Sequence, residues 1–237
     1  MKHPLVLLAA GIGPGLFWLW WFYRRDRYEP EPQRLILRTA LIGGLAGIVA
    51  VVLELPWHAS VVLGSVVVAP VVEELAKFAV VRRTMYDDPE FDEPMDGLVY
   101  AAAAALGFAS LENVFYVAAC YVKGGEHSAA GTFWARAVLS VPGHALFSSL
   151  WGAALGKVRF SPPELRRGIV GRGLVLAMAG HGAWNAICMI RGAYSWILCA
   201  FVLFLWGVFN RNARDLLRQS PFREKADPAQ PDPGRRI

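Results

Sequence analysis

The amino-acid sequence predicts an all-α protein, a polytopic membrane helix bundle of about seven transmembrane helices with its N-terminus outside and its C-terminus cytoplasmic. Three observations carry that expectation. Of 237 residues, 55% are hydrophobic and 18% charged, with a mean hydropathy of +0.37, which is more apolar than an ordinary soluble domain. The apolar residues gather in seven blocks, 4–23, 35–55, 57–80, 96–122, 134–156, 173–190 and 194–210. Each reaches or approaches the roughly 20 residues that cross a bilayer. Finally, segments 24–34, 81–95, 157–172 and 211–237 hold 18 of the 24 basic residues, against Lys2, Lys123 and Arg191 on the opposite side. Basic loops face the cytoplasm. The net charge of +5 therefore reports topology and gives no ground for a nucleic-acid partner.

The first block could be a cleaved signal peptide. Its leading end holds only Lys2 and His3, and no small-residue cleavage site follows. Instead Trp18, Trp20, Trp21 and Tyr23 run into Arg24, Arg25 and Arg27, an aromatic belt meeting a basic flank, so a retained span is expected. The second block is interrupted by Arg38 and closes on Glu54, expected at the interface. The third contains "VVEELAKF" (71–78), with two adjacent carboxylates and a lysine. In hydrocarbon each such charge costs about 2.5–3.5 kcal/mol on insertion scales. The acidic loop "RRTMYDDPEFDEP" (82–94) is expected to cap the cytoplasmic mouth before Asp96, itself expected as an N-cap or first-turn acid.

The fourth block carries Glu112 and Asn113, the latter expected as a helix-bridging amide. At about 1.5 Å per residue, Glu112 counts to roughly 24 Å from Asp96, which is too far outward unless the helix begins in the cytoplasm. The fifth block carries His144 two residues after Pro142, and the sixth carries His181 and Asn185 one turn apart. No internal repeat is evident. The end of the chain is rich in proline and charge, which divides it into a membrane domain, 1–210, and an expected disordered basic cytoplasmic tail, 211–237. Cys120, Cys188 and Cys199 lie in or near apolar spans without metal-type spacing and are expected as small apolar fillers.

Nearly all acids lie in loops, tail or span ends; Glu73, Glu74 and Glu112 do not, and His144 and His181 lie mid-span. Intramembrane ionisable groups face a bundle interior or a wet cavity and pair there. Glu73 and Lys77 are one turn apart and can pair, whereas Glu74 points about 100° away. Pro70 and Pro142 each free a carbonyl one turn earlier, beside these groups. Gly107, Gly143, Gly180 and Gly182 would let helices approach closely. A hydrated pocket walled by spans three to six is expected. Singly, the same residues have plainer readings: Glu73 with Lys77 as a structural ion pair, Glu74 as a cap for a neighbour's polar group, His144 as a hydrogen-bonded packing residue, and His181 with Asn185 as interhelical glue.

In that order and on those spans, "EELAK", "FDEPMDGLVYAAAAALGFASLENVFY", "RAVLSVPGHALFSS" and "HGAWN" resemble the PrsW family of intramembrane proteases, as does the N-terminal "AAGIGPGLFWLWWFYRRDRYEPEP". The family belongs to a superfamily with the type II CAAX prenyl endopeptidases and bacteriocin-immunity-type proteins. The resemblance covers about residues 1–210. It implies a multi-pass protease of the bacterial cell membrane making the first cut in a single-pass, membrane-anchored substrate of the anti-sigma-factor type. It places the superfamily's acidic pair on Glu73 and Glu74 and its final His-x-x-x-Asn/Asp motif on His181 and Asn185. Glu112 stands where the prenyl endopeptidases carry a histidine. Their arginine after the acidic pair is represented at best by Lys77, one position earlier.

Peptide hydrolysis needs water, a base and donors for the oxyanion. The sequence contains neither GxSxG nor HExxH. Glu73 is the expected general base, Glu74 its acidic neighbour, His181 and Asn185 the oxyanion donors, and His144 and Glu112 the groups that position water or shuttle protons. The alternative is a zinc-dependent protease drawing its ligands from Glu73, Glu112, His144 and His181. Two other classes remain open, a proton-coupled transporter and a non-catalytic immunity-type membrane protein. Inverted repeats would be expected of the first, and the second could have lost the acids.

Overall fold

The computed structural model describes residues 4–57, 59–166, 168–190 and 194–223. Lys2, His3, His58, Arg191 and the tail 224–237, which enter the sequence reading, lie outside them. The described residues form seven α-helices and no strand: α1 (Pro4–Tyr23), α2 (Gln33–Glu54), α3 (Ala69–Thr84), α4 (Asp96–Ala135), α5 (Val141–Phe160), α6 (Ile169–Cys188) and α7 (Tyr194–Arg218). Four helical stretches are long and apolar enough to cross a membrane: Leu5–Tyr23, Gln33–Trp57, Asp96–Phe160 and Trp196–Arg218. The third covers two of the expected blocks. The helices that carry the acidic pair and the HGAWN motif, α3 and α6, are not among the four. α7 continues past residue 210 to Arg218, burying Ala213 and Leu216.

At the centre lies α4, packed against α1, α2 and α5. Its alanine run Ala101–Ala105 is wholly buried, because only small side chains fit between helices this close. On the α2 side, a Cβ on Gly107 would stand 1.8 Å from the Ala40 carbonyl oxygen, and one on Gly43 2.2 Å from that of Ala104. Three-quarters of the way along, α4 breaks at Gly125, whose φ of 71° suits glycine alone. Beyond the break the chain stays helical and returns antiparallel, so that Gly97 at the start of α4 meets Gly152 and Gly156 near the end of α5.

Two helices that carry site residues begin in the same irregular way. A π-helical turn, Leu63–Val68, leads into α3, and another, Arg136–Ser140, leads into α5. In the first, Ala69 N–H bonds the Gly64 carbonyl, five residues back. The next bond in that series would run from residue 70 to Ser65, but residue 70 is proline and has no N–H. Asn185 Nδ2 of α6 donates to the Ser65 carbonyl instead, at 2.8 Å. The second repeats the pattern. Val141 N–H bonds Arg136, Pro142 cannot bond Ala137, and Trp18 Nε1 of α1 donates to that carbonyl at 2.7 Å. Each proline thus exposes one carbonyl, and each carbonyl is satisfied from another helix, as a low-dielectric interior demands.

Of the four glycines expected at close approaches, Gly107 and Gly182 make them. Gly182 lies against the Val66 carbonyl oxygen, 2.5 Å from where its Cβ would stand, beside the first π-turn. Gly143 and Gly180 face the Phe147 ring at 3.6 Å, an ordinary contact.

Trp18→Phe leaves the Ala137 carbonyl unpaired and is expected to cost about 1–3 kcal/mol. In Pro142→Ala a backbone N–H becomes available to that carbonyl, so the same tryptophan substitution should cost clearly less in that background. Chemical denaturation in detergent of the two single variants and the double variant measures the coupling.

Candidate active site

Glu73, Glu74 and Lys77 project from α3, Glu112 from α4, His144 from α5 and His181 from α6. Glu73, Glu74, Lys77, His144 and His181 are each less than a tenth exposed. Lys77 lies at the centre. Its Nζ donates to Glu73 Oε2 at 3.2 Å and to Glu74 Oε1 at 2.9 Å, lies 3.0 Å from His144 Nδ1, and sits over the Phe108 ring. Three acceptors for one ammonium match its three protons. An unpaired charge here would cost several kcal/mol.

The acidic pair is divided in its surroundings. Glu74 Oε2 accepts from Ser148 Oγ at 2.7 Å and from Trp151 Nε1 at 2.9 Å, both on α5, while its other oxygen takes Lys77. Among the described residues Glu73 has only the lysine bond, and its Oε2 also lies 3.7 Å from His144 Nδ1 and 3.9 Å from His181 Nε2. Glu74 is saturated by donors, whereas Glu73 faces the imidazoles.

His144 is fixed from both sides. Because Nδ1 accepts from Lys77, the proton sits on Nε2, which lies 3.0 Å from Glu112 Oε2. Glu112 is therefore level with the histidine, and the depth conflict in the sequence disappears. Asp96 begins α4 beside the loop residues Glu31 and Glu93, so the first turns of that helix supply the extra length. Arg136 Nη2 donates to Glu112 Oε2 at 2.7 Å and its Nε to Asn113 Oδ1 at 3.0 Å. Asn113 Nδ2 reaches the carbonyls of Ala10 and Gly11 on α1; it bridges helices as expected. His181 stacks on Phe147, with ring centroids 5.0 Å apart, and its Nδ1 lies 3.4 Å from Glu74 Oε1 without hydrogen-bond geometry.

The expected residues thus meet, apart from Asn185, whose amide lies on the Ser65 carbonyl. Sequence reasoning missed Ser148 and Trp151, although both lie on the His144 face of α5, one and two turns on. Arg136, which opens the stretch "RAVLSVPGHALFSS", carries no expectation in the sequence reading. The cluster is closed rather than an open pocket: only Glu112, with 22% of its side chain exposed, and Arg136, with 13%, reach outward.

The donors also suit a metal. Glu73, His144 and His181 offer ligand atoms that all lie within 4.8 Å of one another. Two imidazoles and a carboxylate form a three-ligand set of the kind used by catalytic zinc, which leaves a fourth position for water. Glu112 on the far nitrogen of His144 matches the carboxylate partner that metal-bound histidines have, and His181 Nε2 faces Glu73 Oε2 at 3.9 Å. These residues fit zinc, provided that the Lys77 ammonium gives up the lone pairs of Glu73 and His144.

Lys77→Met removes the cation shared by two buried carboxylates and is expected to cost about 3–5 kcal/mol, read as a lower melting temperature in detergent. Glu112→Gln keeps an acceptor for Arg136 and lies nearer solvent, so its loss should be smaller.

Comparison with known proteins gives a consistent result. Protease PrsW of Geobacillus kaustophilus is 35% identical over 205 residues, covering 84% of this chain and 87% of the relative. Protease PrsW of Bacillus subtilis is 32% identical over 213 residues, with 88% and 94% covered, and that of Clostridioides difficile 30% over 220 residues, with 88% and 89% covered. No solved structure gives a significant match. With residues 31–209 matching the model of the PrsW family intramembrane metalloproteases, the chain belongs to that family and is a peptidase.

Proposed function

We propose that this chain is an endopeptidase of the bacterial cell membrane that cuts a single-pass, membrane-anchored protein, of the anti-sigma-factor type, through Glu73, His144 and His181. The observation behind this reading is the convergence of those three side chains from three helices on one buried point. The orientation that goes with it has the N-terminus outside and the basic loops cytoplasmic.

Each residue has a role consistent with its surroundings. Glu73, with a single donor, is the carboxylate free to take a proton from water. Glu74, held by Lys77, Ser148 and Trp151, fixes the lysine and the face of His181 rather than reacting. His181 Nε2 and the Lys77 ammonium both border Glu73 Oε2 and can donate to an oxyanion formed there. Glu112 holds the His144 tautomer. Asn185, through Ser65, holds α6 against the break before α3; this supports a positioning role.

The donor set and the family's description as metalloproteases also favour a zinc-dependent reading, with Glu73, His144 and His181 as ligands. When bound, the metal supplies a Lewis acid and lowers the pKa of its water. In that case Glu73 binds instead of acting as base, and the Lys77 ammonium turns to Glu74.

Co-expression with candidate single-pass membrane proteins should give a fragment whose yield falls at least about 100-fold in Glu73→Gln and falls likewise in His181→Ala. Cleavage unchanged in both variants would overturn the proposal. In detergent, cleavage lost on chelation and restored by zinc identifies the metal-dependent mechanism. Cleavage that persists after metal stripping identifies Glu73 as a base acting without one.

A further inference from the structure

A second group of carboxylates lies at the other end of α4. Asp26 follows α1, Glu31 precedes α2, Glu93 ends the loop after α3, and Asp96 opens α4. Asp26, Glu93 and Asp96 offer oxygens that all lie within 4.8 Å of one another. The four residues are 4%, 1%, 0% and 0% exposed, in chain order. At about 1.5 Å per residue, α4 separates Asp96 from Glu112 by about 24 Å, so this group is distinct from the cluster around Lys77.

Few donors serve them. Asp96 Oδ2 accepts from Glu93 N–H at 2.7 Å, and Glu31 Oε2 accepts from the Tyr100 hydroxyl. Both oxygens of Asp26, both of Glu93, Asp96 Oδ1 and Glu31 Oε1 are buried with no hydrogen-bond donor among the described residues. No described lysine or arginine forms an ion pair with any of the four. Glu31 is not one of the three mutually close acids, yet it too is buried and faces Asp96 with a free oxygen. Orphaned buried carboxylates at this density require something positive between them.

We propose that Asp26, Glu93 and Asp96, closed by Glu31, bind a hard divalent cation, Ca2+ or Mg2+, that fastens the cytoplasmic-side ends of α1, α2 and α4. An all-oxygen carboxylate set selects hard cations. At Ca2+–oxygen distances of about 2.3–2.6 Å, ligands on opposite sides of the ion lie about 5 Å apart, so mutual distances within 4.8 Å are of the size that Ca2+ needs. The positive dipole end of α4 favours the charged form of Asp96 and works against a cation, so the attraction must come from the carboxylates themselves.

The competing occupant is the proton. Burial, with Glu93 beside it, pushes Asp26 up to about 9, burial pushes Glu31 up to about 8, and burial raises Glu93. The other groups facing them are Glu29, Asp92, Tyr100 and Ser220. Without a cation, the folded chain holds protons that the unfolded chain has released, so stability should fall as pH rises from the ordinary carboxyl range to about 9. A bound cation replaces those protons and flattens the slope.

The test is thermal unfolding of the full chain in detergent, stripped with chelator and titrated with CaCl2 or MgCl2 between pH 5 and pH 9. A saturable rise in melting temperature is expected, largest at high pH, retained in His181→Ala and lost in Glu93→Gln. Asp26→Asn provides the same readout should the first variant fold poorly. Two results would each overturn the proposal: no response to either ion in the unmodified chain, or a response that survives both carboxylate substitutions.

Discussion

One ammonium group shared among two carboxylates and an imidazole is the contact on which the rest of the bundle's interior depends. Charges in an apolar core are tolerated only when paired and fully hydrogen-bonded, and Lys77 Nζ meets Glu73, Glu74 and His144 with one proton each. That requirement fixes α3 against α5. Ser148 and Trp151 complete Glu74, while Glu112 completes His144 and ties in α4. Arg136 and Asn113 then carry the network to the backbone of α1. The site is therefore rigid because the cost of leaving any member unpaired is spread over four helices.

Irregular backbone is what brings these groups together. Both π-turns are followed two residues on by a proline, and both release a carbonyl that a partner helix must satisfy. The partners, Asn185 and Trp18, thereby register α6 against α3 and α1 against α5. Regular helices would have bonded those carbonyls internally and left α6 and α1 free to slide. A local backbone defect is thus converted into specific interhelical contacts, in an environment where apolar packing alone discriminates weakly between registers.

Much of this is legible in the sequence, for physical reasons that also mark where it stops. Glu73, Glu74, His144 and His181 stand out because an ionisable group inside an apolar run has few inexpensive places to go. The two prolines are equally visible. Which carbonyls they orphan is not, since the bonds depend on a π-turn that no periodicity announces, and so Asn185 reads as a chemical donor when its bond is to Ser65. The height of Glu112 was unreadable because it depends on where α4 begins relative to its neighbours. Lys77 looked like the partner of Glu73 alone, as helical spacing suggests; its bond to Glu74 at i,i+3 and its contact with His144 arise from rotamers and from another helix. The acids at 26, 31, 93 and 96 are scattered through loops and read as solvated until the fold buries them.

The closed state of the cluster constrains how a peptide could reach it. Glu73, His144 and His181 are sealed, and the members that approach solvent are Glu112 and Arg136, which belong to opposite arms of the hairpin broken at Gly125. Their ion pair spans the gap between α4 and the π-turn before α5. Parting those arms breaks the contacts of Glu112 with Arg136 and His144 but leaves the Lys77 bonds to Glu73 and Glu74 in place, since all three residues lie on α3. The pair is only 13% and 22% exposed, so breaking it costs more than the about 0–1 kcal/mol of a surface pair. The Lys77 network is fully buried and costs several times more to disturb. The same difference in burial that makes the centre rigid makes the Glu112–Arg136 edge the least costly part of the cluster to disturb.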